Sequence, residues 1–266
     1  MALVPEPLAE IRLQTLAQLA AGGRWQIELP HDRDHHLLVW ITRGQGTCLL
    51  DGAREGFGAH NALFVPARHL MALYPGRGCI GLALAIPGHT GIILPARPRH
   101  LRVRDSGSQA ELSGLLEAVG REQSGNRPLS TSAIAAWTEL VAIWLRRFDE
   151  KQEIYGIDSP SRRLCRTYLA AIVERFDSGD NVSNIASRLE FSPEHLTRMC
   201  KSATGLTAHE LLSGRVEHAA RTLVCHSGAS FGDISRALGF SSAQSFSRFV
   251  RHQTGHSPRA LRDRGA

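Results

Sequence analysis

Ile185-Ala186-Ser187-Arg188-Leu189-Glu190-Phe191-Ser192 returns 49 residues later as Ile234-Ser235-Arg236-Ala237-Leu238-Gly239-Phe240-Ser241. Further along, Arg198-Met199-Cys200-Lys201 matches Arg248-Phe249-Val250-Arg251, and Thr204-Gly205 matches Thr254-Gly255, at an offset of 50. The second copy therefore carries one extra residue at its turn. Self-similarity at this spacing marks a repeated structural unit. Two copies are too few for a solenoid, so a duplicated binding unit is the natural reading.

Each copy reads as a short helix, a tight turn and a second helix. In the first, Ser192 suits an N-cap, Pro193 the first helical position and Gly205 the stop. Leu196, Met199, Cys200 and Ala203 recur at i, i+3, i+4, i+7 and face inward. Glu194, Thr197, Arg198 and Lys201 then share the outer face, with His195 beside them. In the second copy Phe246, Phe249 and Val250 face inward, and Ser242, Ala243, Gln244, Ser247, Arg248 and Arg251 line the outer side. A polar and basic helix face of this size fits the major groove, where Arg pairs bidentately with guanine and Gln with adenine. One such face alone is more often a solvated amphipathic helix; repetition of the layout favours the groove-reading one.

Between the copies, residues 208–226 carry Leu211, Leu212, Val216, Ala219, Ala220, Leu223 and Val224 at helical spacing. A helix of ~19 residues spans ~28 Å. That approaches the ~34 Å repeat of B-DNA, so two reading helices can enter successive grooves on one face of a duplex, with DNA bending absorbing the remainder. Charge agrees. Of 31 Lys+Arg and 25 Asp+Glu, residues 158–266 hold 15 against 10, and residues 1–157 hold 16 against 15. The basic excess lies in the half that carries the repeat, as a polyanion-binding domain requires.

The N-terminal part has a different texture. Trp25-Gln26-Ile27-Glu28-Leu29 alternates as a half-buried strand does. Residues 37–42 form an apolar run ending at Gly44-Gln45-Gly46. Asp51-Gly52 sits between apolar stretches as a hairpin turn, and residues 62–65 and 80–86 are strand-sized runs halted by Pro66 and Pro87. Short strands with Gly/Pro punctuation over about 20–105 predict a barrel or sandwich. Residues 108–150 read as helical. Ile134, Trp137, Val141, Trp144, Leu145 and Phe148 form one apolar stripe that must pack on the β-domain, on a partner helix, or on both. Residues 151–160 read as a linker, and the chain is helical from Ser161 onward. The expected architecture is α+β with two domains: 1–150 regulatory, 161–266 all-α.

The C-terminal stretch Asp233-Ile234-Ser235-Arg236-Ala237-Leu238-Gly239-Phe240, with Phe246-Ser247-Arg248-Phe249, Gly255-His256-Ser257-Pro258 and Arg262, resembles the AraC/XylS family of bacterial transcription regulators over about 162–264. Arg215, Ala219 and Leu223 match its linker-helix pattern. Ser235 stands where Ala is commoner and Val250 where a second Phe is usual; both positions are structural. The resemblance implies double-stranded DNA as partner, with base contacts from Glu194, Thr197 and Arg198, then Ala243, Gln244 and Arg248. Ala243 offers only apolar contact, for instance to a thymine methyl; Glu194 suits cytosine N4 or repels phosphate. His31-Asp32-Arg33-Asp34-His35-His36 before the 37–42 run is similar to the first cupin motif. It implies a cupin-like barrel that senses a small-molecule effector or mediates dimerisation, with a homodimer through the helices of 108–150 and RNA polymerase as a partner if the protein activates.

The histidines raise a metal reading. A metallo-cupin needs two close histidines, a following Glu and a later His, but the Glu position falls in the apolar run. His31, His35, His36 and Trp40 are therefore read as candidate effector-pocket residues, with no metal and no cofactor. No nucleophile–base pair or phosphate loop stands out, so the chain is not expected to be an enzyme. The alternatives are a metal-dependent cupin enzyme fused to a DNA-binding module, or a barrel that only dimerises. Five cysteines without a CxxC spacing read as reduced. No apolar run approaches a membrane span, and the charged N-terminus does not read as a signal peptide, so a cytoplasmic address is expected.

Overall fold

The apolar run at 37–42 becomes a strand buried on both faces, and the N-terminal half is built around it. In the computed structural model, which describes residues 8–125, 127–151 and 158–265, the chain opens with β1 (Arg12–Thr15), α1 (Leu16–Leu19) and α2 (Trp25–Glu28). Strands β2 (His35–Arg43), β3 (Gln45–Leu50), β4 (Ala53–Gly58), β5 (Asn61–Val65), β6 (Ala72–Pro75), β7 (Ile80–Pro87) and β8 (Arg99–Arg102) follow. They form a five-stranded sheet, β1-β7-β2-β5-β8, and a three-stranded sheet, β4-β3-β6. All pairings between them are antiparallel; Val39 of β2 faces Leu63 on one side and Ala83 on the other.

Leu37, Val39 and Ile41 point between the two sheets, where they meet Cys48, Leu50, Phe57, Met71 and Leu73. Leu38 and Trp40 point the other way. The expected barrel is thus two separate sheets with a shared core, and no hydrogen-bonded strand closes one onto the other among the described residues. The Asp51-Gly52 hairpin forms as its sequence predicts. Both residues are left-handed, φ 49° and 78°, as a type I′ turn requires, and Leu50 pairs with Ala53.

One strand expectation is corrected. Of residues 25–29 only Leu29 is extended: Trp25–Glu28 is the single helical turn α2, with the Leu29 N–H donating to the Trp25 carbonyl and an Arg24–Glu28 ion pair across the turn. Only Ile27 is buried there. Five alternating residues satisfy one buried side chain as well in a turn as in a strand.

Helices α3 (Ser106–Ser124) and α4 (Ser130–Lys151) lie on the outer face of the five-stranded sheet. The α4 stripe packs there: Val141, Trp144 and Leu145 are buried with Leu112 and Leu116 of α3 against Trp40, Phe64 and Leu84. The β-domain is therefore the stripe's packing partner. Most of the expected linker, residues 152–157, lies outside the described residues. The C-terminal helices are α5 (Pro160–Arg175), α6 (Val182–Arg188), α7 (Pro193–Thr204), α8 (Ala208–His226), α9 (Phe231–Ala237), α10 (Ala243–Thr254) and α11 (Pro258–Gly265). No helix of the described residues is long and apolar enough to cross a membrane. All five cysteines are free.

The two halves share a core. Leu49, Leu70 and Ala72 of the β-domain are buried with Leu164, Tyr168 and Leu169 of α5. The β3–β4 turn sits so close to α5 that a Cβ on Gly52 would lie 2.7 Å from the Arg162 carbonyl oxygen. Ion pairs fasten the contact: Arg162 reaches Asp51 and Glu55, and Arg166 reaches Asp51.

Candidate nucleic-acid interface

Each repeat copy folds as the capping pattern dictates. Ser192 accepts from the His195 N–H at the start of α7, and Ser242 accepts from the Ser245 N–H at the start of α10. Gly205 and Gly255, at φ 77° and 72°, end the two helices. The turns differ by one residue, 189–192 against 238–242, as the shift in offset requires. At the matching turn position stand Glu190 (φ 61°) and Gly239 (φ 71°). Leu196 and Cys200 of α7 are buried against α5, while Phe246 and Val250 of α10 are buried against α8.

The remaining faces are open. Glu194, Arg198 and Lys201 are exposed on α7, with His195 and Thr197 half-buried between them; Pro193, Glu194, Thr197, Arg198 and Lys201 border one shallow surface depression. Arg198 donates to His195 Nδ1 at 3.0 Å, and the His195 ring stacks on Phe191. On α10, Ser242, Ala243, Gln244, Arg248 and Arg251 are exposed and Ser247 is half-buried. Arg248 and Arg251 have no ion-pair partner among the described residues. Both groups of predicted reading residues thus stand together, each on one helix.

Helix α8 joins the two units. It starts with a Thr207/Glu210 capping box and runs 19 residues, the span expected from sequence. Arg262 closes its far end, donating to the Val224 and Ala229 carbonyls and lying over the Phe231 ring. A direct backbone contact locks the units: a Cβ on Gly239 would meet the Gly179 nitrogen at 2.2 Å.

The four proposed pocket residues do not share one environment. His36 stacks near Phe64 and its Nδ1 accepts from the Ala67 N–H. His35 Nδ1 pairs with Asp34. Trp40 donates to Ser113 of α3 from within the outer core. His31 is fully buried and stacks on His218 of α8, centroids 4.4 Å apart. Sequence reasoning missed this junction. There Arg215, buried in α8, donates to Asp32 Oδ1 at 2.6 Å and lies 3.6 Å over the Phe176 ring. A charged residue among the apolar positions of the linker helix was the available signal.

Capped helix pairs with polar, basic outer helices, joined by a rigid connector, define a helix-turn-helix DNA-binding protein. A helix-turn-helix domain family matches residues 185–264. The chain is 31% identical to the HTH-type transcriptional activator RhaS of Escherichia coli over 251 residues, 89% of this chain and 88% of that one. Among solved structures, ToxT from Vibrio cholerae O395 matches with a TM-score of 0.42 at 10% identity, covering 96% of this chain and 97% of that one. A regulator with an AraC-type DNA-binding domain from Chromobacterium violaceum gives 0.32 at 25%, covering 38% and 94%. This chain belongs to the AraC/XylS family of DNA-binding transcription regulators.

Proposed function

We propose that this protein is an effector-responsive transcription activator whose α7 and α10 enter successive major grooves of one DNA site. The observation that carries the reading is the pair Arg198 and Arg248, exposed at equivalent places on two capped helices at either end of α8. Guanidinium forks suit guanine, and Gln244 suits adenine. Glu194 faces the same side as Arg198, so the two half-sites differ in sequence. RNA polymerase is the partner an activator requires.

On this reading the two N-terminal sheets are the walls of a cupin-like barrel, and the N-terminal domain receives the effector. Helices α3 and α4 supply the dimer contact. Beyond its packed stripe, α4 carries Leu140, 43% exposed, next to the exposed Ala136 one turn back.

A mobility-shift titration of the full chain on DNA from its own upstream region tests the core of the proposal. Binding should be sequence-selective and weaken steeply with salt, as phosphate neutralisation demands. Equal affinity for a shuffled sequence of the same length would refute it.

A further inference from the structure

The two reading arginines match in the repeat, but their surroundings do not. Arg198 follows His195 by three residues on α7 and donates from Nη2 to His195 Nδ1 at 3.0 Å. For Nδ1 to accept, the ring proton sits on Nε2. Residues three or four apart on a helix are neighbours, so Glu194 is within reach of Arg198 as well. No ion pair joins those two among the described residues. Glu194 lies in the first turn of α7, where the positive end of the helix dipole favours a carboxylate. The imidazole, not the carboxylate, holds the guanidinium.

The imidazole is itself held. Its backbone N–H donates to the N-cap Ser192, and its ring stacks on Phe191, with centroids 5.6 Å and planes 20° apart. Phe191 is 40% exposed. Its counterpart Phe240 turns instead onto Phe246 and Phe249 of the core. At the position matching His195 stands Ser245, whose hydroxyl donates to the Ser242 carbonyl and accepts from the Ser242 N–H. Arg248 has no hydrogen-bond partner among the described residues. One reading arginine is therefore braced and the other is free. A free arginine loses rotamer freedom when it docks on a base, and a contact organised before binding avoids part of that cost. The brace takes one of the guanidinium's five N–H groups. Whichever Nη2 hydrogen goes to His195, one complete two-donor edge stays open for guanine O6 and N7.

We propose that His195, backed by the Phe191 ring, is a positioning residue that presents Arg198 to its base. The proposal rests on the reading of α7 and α10 as groove-entering helices, and it adds a residue that sharpens specificity without touching a base. Because the brace draws Arg198 away from Glu194, the two stay separate readers on one helix face, a donor for guanine and an acceptor for cytosine N4.

The test is selection of binding sequences from a randomised duplex library by the full chain. Arg198→Ala and Arg248→Ala should each lose preference at one base pair, which marks the pair that each arginine reads. His195→Ala should then lower the preference at the Arg198 pair about fivefold, the order of one net hydrogen bond, and leave the Arg248 pair unchanged. His195→Asn should restore most of it, since its Oδ1 accepts where Nδ1 did, and Phe191→Leu should give a smaller loss at the same pair. Both His195 variants keep the backbone N–H that caps on Ser192, so they should melt within a few degrees of the wild type. In an Arg198→Ala background, His195→Ala should change nothing further. The brace is overturned if His195→Ala keeps the wild-type preference, lowers it equally at both pairs, or still acts without Arg198, which would make His195 a base contact in its own right. An Asn variant no better than Ala overturns it too. A wild-type chain that enriches no sequence removes the groove-reading assignment and the brace with it; enrichment by the wild type with an unchanged His195→Ala removes the brace alone.

Discussion

Arg215 and Arg248 both sit on helices of the basic half, and they end in opposite surroundings. Arg248 is open to a ligand, and its position was legible because helical periodicity alone decides which face it takes. Arg248→Ala should leave the fold intact and relax discrimination at one base pair by ~1–3 kcal/mol, read by selection from a randomised site; unchanged base preference would remove its assignment. Arg215 pairs with Asp32, 183 residues away, and no local pattern reports a partner at that distance. Ser235 illustrates a third case. It is 1% exposed and its hydroxyl lacks a hydrogen-bond partner among the described residues. Ser235→Ala should therefore stabilise the protein by about 1 kcal/mol, since the desolvation cost of the hydroxyl disappears; a lower denaturation midpoint would contradict this. His218 is held down to about 3 chiefly by burial, with Arg215 and Arg33 adding to the effect, and burial holds the stacked His31 low as well. Below about 6.5 the unfolded chain takes up these protons and the folded one does not. The stability is thus full above about 6.5 and is lost as the pH falls toward 3, at roughly 1.4 kcal/mol per pH unit for each histidine. His218→Phe should flatten the stability–pH curve over that window.

At the scale of elements, the turns explain what the repeat hides. Glu190 and Gly239 occupy the same left-handed turn position; Glu190 is exposed, whereas a Cβ on Gly239 would press on the backbone of residues 177–179. Gly239→Ala should cost more than 2 kcal/mol through clash and strain together. Glu190→Gly should change stability by less than about 0.5 kcal/mol, because relief of strain is offset by a freer unfolded chain. Paired denaturation curves check both; similar effects at the two sites would show that the Gly179 contact is not what restrains the turn. Helix ends, the Asp51-Gly52 hairpin and the span of α8 were readable in the sequence because caps and turns are local chemistry. The turn at Trp25–Glu28 was misread because five residues of alternation do not distinguish one buried side chain in a strand from one in a helix.

For the whole molecule, the sequence separates an α+β half from an all-α half but not how they meet. The faces that join them, Leu49 and Ala72 on strands and Leu164 and Tyr168 on α5, look from sequence like ordinary core of either half. The same holds for α4, whose stripe fits a sheet or a partner helix equally well until the packing is known. Its second, open face gives a prediction at this scale. On the proposed dimer contact through α4, the wild-type chain should sediment as a dimer and Leu140→Glu as a monomer, with the melting temperature within a few degrees. A dimer that survives the charge places the contact elsewhere.

The common core of α5 and the smaller sheet also bears on modularity. Regulators of this kind invite grafting, in which the sensing half of one is spliced to the reading half of another at the linker. Here a cut between 151 and 160 would strip Leu49, Leu70 and Ala72 of their cover and leave the inner side of α5 facing water. A workable hybrid must carry the donor's version of that sheet face, or α5 must travel with the sensing half. The seam, not the linker, is the true unit of exchange.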